Sequence, residues 1–179
     1  IFASPVSGVV SEVVRGEKRK LLEIRIKTDK QIEYIKYDLP KVEDLSAEKI
    51  IEALKKSGLW VCLKQRPYGI IPNPNVEPKA IFVSGFSSVP AAPDYDYALK
   101  DELDNIQLAI NALNKLTKGG VHMGLSRISA NSTPLHKLKN VYFHVFDGPH
   151  PADNVGVQIH HISPVNKGEV VWTVDLPLL

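Results

Sequence analysis

The segment Asp147-Gly148-Pro149-His150-Pro151-Ala152-Asp153-Asn154-Val155-Gly156 sets a histidine among two prolines and two glycines. Such residues fix an unusual backbone path, and loops held on a rigid scaffold are where binding groups concentrate. Arg66-Pro67-Tyr68-Gly69-Ile70-Ile71-Pro72 has the same character, with a cation and an aromatic ring beside constrained backbone. The histidines at 122, 136, 144, 150, 160 and 161 raise the question of a metal. Zinc sites use His and Cys pairs at short fixed spacings, or His-Glu-x-x-His, and neither occurs. His160 and His161, placed on a strand, would point to opposite faces and could not share an ion. Cys62 has Lys64 and Arg66 nearby to lower its pKa, but it lies in the apolar run Leu59-Trp60-Val61-Cys62-Leu63, where a cysteine packs. Gly85-Phe86-Ser87-Ser88-Val89 lacks the second glycine of a nucleophile elbow. Lys18, in the turn Gly16-Glu17-Lys18-Arg19, stands where a carrier lysine could be displayed; its basic neighbours favour a solvated turn.

A dinucleotide site would need glycines directly after a strand and opening a helix, with a later acidic residue for the ribose. Gly119, Gly120 and Gly124 instead follow a helix and lead into a strand. Gly85 stands alone, with Pro90 and Pro93 before the next helix. The expectation is a Rossmann-like scaffold without a nucleotide fingerprint.

The elements that must position these residues are readable in part. Val6 to Asp38 has β texture, with Leu22, Ile24 and Ile26 alternating with Glu23, Arg25 and Lys27, and a third strand expected from Ile32 to Tyr37. A helix follows, with Ser46 as N-cap, Ile50, Ile51 and Leu54 on one face and Gly58 as the stop. Residues 67–93 carry six prolines and read as loop, interrupted by the short apolar strand Ala80-Ile81-Phe82-Val83-Ser84. Leu99, Leu103, Ile106, Ile110, Leu113 and Leu116 recur at helical steps and predict a helix over 99–117. Strands are expected over 121–125, 141–146, 155–162 and 170–174. The whole predicts an α/β fold: a Rossmann-like parallel sheet with helices, plus a partial antiparallel β unit. The expected divisions are 1–39 for the β unit, 40–147 for the α/β domain, and 148–179 for returning strands that complete the β unit or the domain edge.

With 179 residues, 22 basic and 20 acidic side chains, the chain carries a net charge of +2. That balance lacks the concentrated basic excess of a nucleic-acid binder. The lone cysteine makes no internal disulfide and fits a reducing compartment. No apolar run approaches the roughly 20 residues that span a bilayer. Only five charges fall in residues 140–179. The chain opens on Ile1 without an initiator Met, so a piece of a longer protein is expected.

Several segments, taken in order, share the pattern of one family. They are Ser4-Pro5-Val6-Ser7-Gly8-Val9-Val10, Arg15-Gly16-Glu17-Lys18-Arg19-Lys20, Arg66-Pro67-Tyr68 and Pro90-Ala91-Ala92-Pro93-Asp94-Tyr95. Gly148-Pro149-His150-Pro151, Asn154-Val155-Gly156 and the stretch from His160-His161 through Asn166-Lys167-Gly168-Glu169-Val170-Val171-Trp172-Thr173-Val174 continue it. From about Ser4 to Asp175 the sequence resembles the A-subunit family of the Na+-translocating NADH:quinone oxidoreductases. The final Leu176-Pro177-Leu178-Leu179 departs from the family pattern.

The resemblance implies a peripheral component on the cytoplasmic side of a bacterial inner-membrane respiratory complex. Its fold is related to the flavin- and NADH-binding subunit of respiratory complex I, but it holds neither cofactor. Flavins and the iron–sulfur centre belong to other subunits, quinone is the substrate, and the partners are the other subunits, the membrane ones above all. The β unit would be half of a lipoyl-like barrel-sandwich, with the missing half before Ile1 and further regions after Val174. The expected quinone-binding set is Tyr68 and Phe86 as aromatic walls, with Arg66, His150 and Asn154 as donors. No catalytic residue, resident cofactor or metal is expected in this stretch. Two other readings stand beside it: a purely structural assembly module with the quinone bound elsewhere, and a residual flavin or NADH enzyme, which bound flavin in an absorption spectrum would reveal.

Overall fold

A computed structural model describes residues 3–38 and 40–179; the ends of the expected 1–39 unit lie outside the described residues. The chain divides into two compact units, one up to Pro40 and one over Lys41–Leu179.

In the first unit, β1 (Gly8–Arg15) and β2 (Leu21–Thr28) pair antiparallel, with Gly8 opposite Thr28 and Val13 opposite Ile24. The turn between them holds Lys18 and Arg19 at positive φ. A Cβ at Gly8 would collide with the Lys27 carbonyl oxygen, so the ribbon can start there only on glycine. Arg25 bridges Glu12 and Glu23, at 2.6 Å each, across the exposed face. Val9, Val10, Val13, Leu21, Leu22 and Ile24 are all exposed. The third strand expected over Ile32–Tyr37 is not a strand. Alternating apolar residues form one only where a neighbouring ladder accepts their backbone groups, and the two-stranded ribbon does not extend to them.

The second unit is built on a five-stranded sheet. Helix α1 (Ala47–Ser57) starts and stops as its residues dictate: Ser46 Oγ accepts from the Lys49 N–H, and Gly58 takes φ +82°. Strands β3 (Lys64–Arg66) and β4 (Ile81–Ser84) follow, then the single turn α2 (Tyr95–Ala98) and helix α3 (Leu103–Asn114). Strands β5 (Val121–Ser126) and β6 (Val141–Phe146), helix α4 (Val155–Ile162) and strand β7 (Val171–Thr173) complete it. The order across the sheet is β3-β7-β4-β5-β6, parallel except for β3, which runs antiparallel to β7.

The helix expected from Leu99 begins at Leu103, because Asp94 and Glu102 open two separate helical starts. All six periodic residues nonetheless reach one core, with Ile106, Ile110, Leu113 and Leu116 buried and Leu99 and Leu103 packed against them. Ile81, Val83, Val121, Met123, Leu125 and Trp172 meet them from the sheet. The opposite face carries a smaller cluster of Ala80, Phe82, Val171 and Ile159, covered by α4.

Residues 148–179 correct the expectation of returning strands. The stretch 155–162 is a helix, because Asn154 caps it and Val155, Ile159 and Ile162 then fall on one side, against Phe82. His160 and His161 therefore sit in the last turn of a helix rather than on a strand. Strand β7 is not at an edge; the Trp172 N–H donates to Ala80 O (3.1 Å) and the Val174 N–H to Phe82 O (3.2 Å), while β3 pairs its other side. The absence of charge from Val171 through Val174 follows from their burial.

On the α4 face, His122 stacks on Phe82 at 4.9 Å and on His144 at 5.2 Å. His122 Nε2–H donates to Gly119 O (3.1 Å), which leaves Nδ1 to accept from His144 Nε2–H (2.9 Å). This arrangement needs the His122 ring neutral, because its Nδ1 must accept. Burial pushes both pKa values down, His144 further through His122. A histidine held below its ordinary value of about 6.5 stabilises the fold above that pH, and this stability is lost as the pH falls from there through the folded value. Urea midpoints measured from pH 7.5 to 5 are expected to fall, and the double variant His122→Gln, His144→Gln to lose much of that slope. An unchanged slope would refute the assignment.

Candidate functional site

Strands β4, β5 and β6 step in one direction across the sheet, and the chain then returns through α4 to place β7 on the far side of β4. In open parallel sheets such a reversal leaves a crevice at the carboxyl ends of the strands, where ligands bind. The segments after β4 (85–94), β5 (127–133) and β6 (147–154) emerge at this edge. Gly85 N–H donates to Gly124 O (2.8 Å), and a Cβ at Gly85 would lie 2.9 Å from that oxygen, so only glycine allows the approach.

Gln158, 1% exposed, ties the edge together. Its amide N–H groups serve Ser84 Oγ (3.1 Å), Ala152 O (3.2 Å) and Asp153 O (3.4 Å). Beyond it, Asp153 accepts from Ser88 Oγ–H (2.5 Å) and Ser87 Oγ–H (3.1 Å). With its one proton given to Asp153, Ser88 can only accept from His150 Nδ1–H (3.1 Å). Serine and aspartate thus meet the same ring nitrogen, which lies 3.5 Å from Asp153. A nucleophile triad requires them on opposite nitrogens, so the grouping is a loop clamp and not a charge-activated serine.

Burial opposes ionisation of Asp153, whose side chain is 14% exposed, but the hydrogen bonds from Ser88 and Ser87 outweigh it and hold the carboxyl below its ordinary value. A carboxylate with a depressed folded pKa contributes stability above the unfolded value of about 3.9 and loses it as the pH falls through the folded one. Asp153→Asn is expected to cost about 1–2 kcal/mol at neutral pH and to flatten the acid limb of stability below pH 4. Equal chemical denaturation of the two proteins at pH 7 would contradict this.

Beside the clamp lies an open depression of about 350 Å³. Phe86, Val89, Pro93, Tyr95 and Ile128 give it apolar walls, and Ser87, Ser126 and Ser129 add hydroxyls. Asp94 and Asp96 also line it; Asp94 caps α2, and Asp96 accepts from Thr133 Oγ1–H (2.5 Å). Burial, followed by the carboxylates of Asp175 and Asp153, pushes the Tyr95 phenol up, so it remains a donor at neutral pH. These residues do not fit a dinucleotide. Its pyrophosphate would meet carboxylates instead of a glycine-rich turn opening a helix. A flat neutral ligand with carbonyl acceptors suits the walls and the hydroxyls.

The five expected residues do not converge. Phe86 lines the depression and His150 belongs to the clamp beside it in the 85–88 and 147–154 loops. Asn154 spends its side-chain oxygen on the Gly156 N–H (2.8 Å), capping α4. Arg66 faces a separate cleft with α4 residues, and Tyr68, 78% exposed, forms the tip of the hairpin beyond β3. Ser87, Ser88, Asp153, Gln158 and Tyr95 were not foreseen. The one sequence signal for them is Asp153-Asn154 directly before the spacing Val155, Ile159, Ile162, which marks a helix start. Among the described residues, no three His, Cys, Asp or Glu side chains are grouped to hold a metal, and no helix is long and apolar enough to cross a membrane.

Residues 45–177 match the family of the NqrA second alpha/beta domain, and residues 1–29 match the NqrA N-terminal barrel-sandwich hybrid domain. The chain is 34% identical over 177 residues to the Na(+)-translocating NADH-quinone reductase A-subunit of Neisseria meningitidis serogroup A, covering 98% of this chain and 39% of that protein. It is 34% identical over 176 residues to the protein of the same name from Pseudomonas aeruginosa, and equally to that from Yersinia pestis, with 97% and 39% covered in each case. The chain thus spans about 39% of the length of the curated relatives it matches.

Proposed function

The chain belongs to the NqrA family, and on that premise we propose that it is the scaffold portion of the NqrA component of a sodium-pumping NADH:quinone oxidoreductase, where it helps hold the quinone. The observation that carries this reading is the character of the crevice. Phe86 and Tyr95 supply aromatic wall, the Ser126 and Ser129 hydroxyls supply donors for carbonyl oxygens, and Asp94, Asp96 and Asp153 disfavour an anionic cofactor while leaving a neutral ring system unopposed. The chain's own part in the chemistry is to bind and orient; electron carriers sit on the other subunits, and the membrane subunits are its partners, met from the cytoplasmic side.

The test is made in the assembled complex. Tyr95→Phe removes one donor to a quinone carbonyl, and is expected to raise the quinone KM roughly fivefold with kcat little changed, the size of one lost hydrogen bond. Phe86→Ala is expected to act in the same direction. Unchanged quinone kinetics in fully assembled complexes of both variants would reject the site.

A second reading, an assembly module with the quinone held elsewhere, draws on the use of His150 and Asn154 to set loop and helix geometry. It predicts that His150→Ala and Arg66→Ala reduce the yield of assembled complex while the quinone kinetics of what assembles stay the same.

A further inference from the structure

Arg66, the last residue of β3, stands apart from the crevice. Beyond it the chain turns back at once: the Gln65 N–H donates to Ile70 O (2.7 Å), the Gly69 N–H donates to Gln65 O (2.8 Å), and Gly69 takes φ +66°. Facing this hairpin are Gly156, Ile159 and His160 of α4, followed by Pro164 and Val165. Together with Arg66 and Pro67 they enclose a cleft of about 260 Å³.

The guanidinium there is set apart from the others of this molecule by the burial of its Nε. Arg25 bridges two glutamates and Arg127 pairs with Asp147 at 3.0 Å. Arg15 donates to the Arg19 carbonyl oxygen. Arg66 joins no ion pair among the described residues, and its Nε is out of water with no acceptor. A buried N–H left unpaired carries its full desolvation cost. Arg66 lines the cleft, and because guanidinium only donates and donates in a fork, an oxyanion is the ligand that suits it. Its charge is bounded by the lining: Arg66 is the one permanent cation there and His160 the one other group that can carry positive charge, so a single negative charge is the best match. Its body is bounded too. Pro67, Ile159, Pro164 and Val165 make the walls apolar, and Gly156 contributes no side chain, which leaves width for a flat or branched group. Apolar walls also strengthen the ion pair by lowering the local dielectric.

We propose that the cleft between the β3 hairpin and α4 is a carboxylate-binding site, in which Arg66 forks the carboxylate and Pro67, Ile159 and Val165 hold an apolar body. The carboxylate comes either from a small free acid or from a side chain or chain end of a neighbouring protein in the complex. This site is separate from the quinone crevice and does not depend on it.

The probe is sodium benzoate, titrated against the full 179-residue chain and followed by amide chemical shifts. Saturable shifts are expected at Gly156, Ile159 and His160. Benzamide, the neutral analogue, should bind at least fivefold more weakly. Arg66→Gln should weaken benzoate at least tenfold and Arg66→Lys several-fold, since an ammonium cannot fork. Val165→Trp, which keeps the charge and fills the cleft, should also abolish the shifts; it guards against a loss caused by misfolding of the arginine variants. No saturable shift at these residues, or Arg66→Gln and Val165→Trp both binding within twofold of the parent, would overturn the proposal. Phenylglyoxal labelling of the assembled complex separates the sources. Arg66 modified unless benzoate is added means a free acid, and Arg66 protected without benzoate means a partner's carboxylate. Because the readout is benzoate on this chain, its failure leaves the quinone kinetics of Tyr95→Phe to be judged on their own.

Discussion

Replacing Gln158 with leucine is expected to lower the unfolding free energy by about 2–4 kcal/mol, although leucine nearly matches the volume. The loss is electrostatic rather than steric. The Gln158 amide lies over Gly124, where a Cβ would collide with its Oε1, so the group is seated against bare backbone with no route to water. Its N–H groups are the donors that Ser84 Oγ and the Ala152 and Asp153 carbonyls receive from α4. Leucine removes all of them and leaves three part-buried acceptors unpaired. For a protein of this size a loss of 3 kcal/mol corresponds to roughly 6–12 °C in Tm. The effect should reach the site, because residues 152 and 153 carry the clamp: the His150 and Ser88 resonances are expected to broaden or shift in the variant. Gly124→Ala should reproduce the phenotype from the other side by pushing the amide out of place. A Tm within 1 °C of the parent for Gln158→Leu would mean that the loop holds its shape without the amide.

Trp172→Ala is expected to be the most damaging single substitution, at about 3–5 kcal/mol, whereas Trp172→Phe should cost no more than about 1.5 kcal/mol. Trp172 is 1% exposed on a strand paired on both sides, and its ring meets Trp60 edge to face at 5.3 Å. Alanine empties the centre of the larger core. Phenylalanine keeps an aromatic edge against Trp60 and deletes the indole N–H, which is buried and has no acceptor. Discarding an unpaired donor offsets part of the lost volume. The Trp60 N–H differs, because it donates to Pro72 O at 3.0 Å, and Trp60→Phe gains no such offset. Urea unfolding of the three variants tests the ordering; a Trp172→Phe loss equal to that of Trp172→Ala would show that shape alone governs the position.

What could be read from the residues was whatever depends on neighbours in the chain. Ser46 and Gly58 mark the ends of α1 because capping is local. Leu99 to Leu116 mark a core-facing stripe because a helix repeats every few residues, even though the helix itself is shorter than the stripe. Val155-Gly156-Val157-Gln158-Ile159 satisfies period two as well as the helical step, and only the Asn154 cap and the cover it gives Phe82 decide between them. The crevice was legible as a scaffold without a nucleotide loop, but not as a site. Ser88 and Asp153 are 65 residues apart, and Gln158 and Ser84 are 74 apart. Their meeting is set by which strand lies beside which, and spacing in sequence carries no record of strand order. Arg66 drew notice for its setting beside Pro67 and Tyr68, yet its unpaired state depends on α4 being a helix at all.

The place of β7 has a consequence for how the protein is made. Strand β7 separates β3 from β4, yet it is translated about 90 residues after β4. A ribosome delivering roughly 5–20 residues per second leaves the β4 ladder without its neighbour for several seconds. During that interval β3 and β4 are bare edges open to mispairing, and the closing contact spans a long loop. Nascent chains halted before Val171 should therefore remain protease-sensitive and hold trigger-type chaperones, and become resistant in one step once the Trp172 segment has left the exit tunnel.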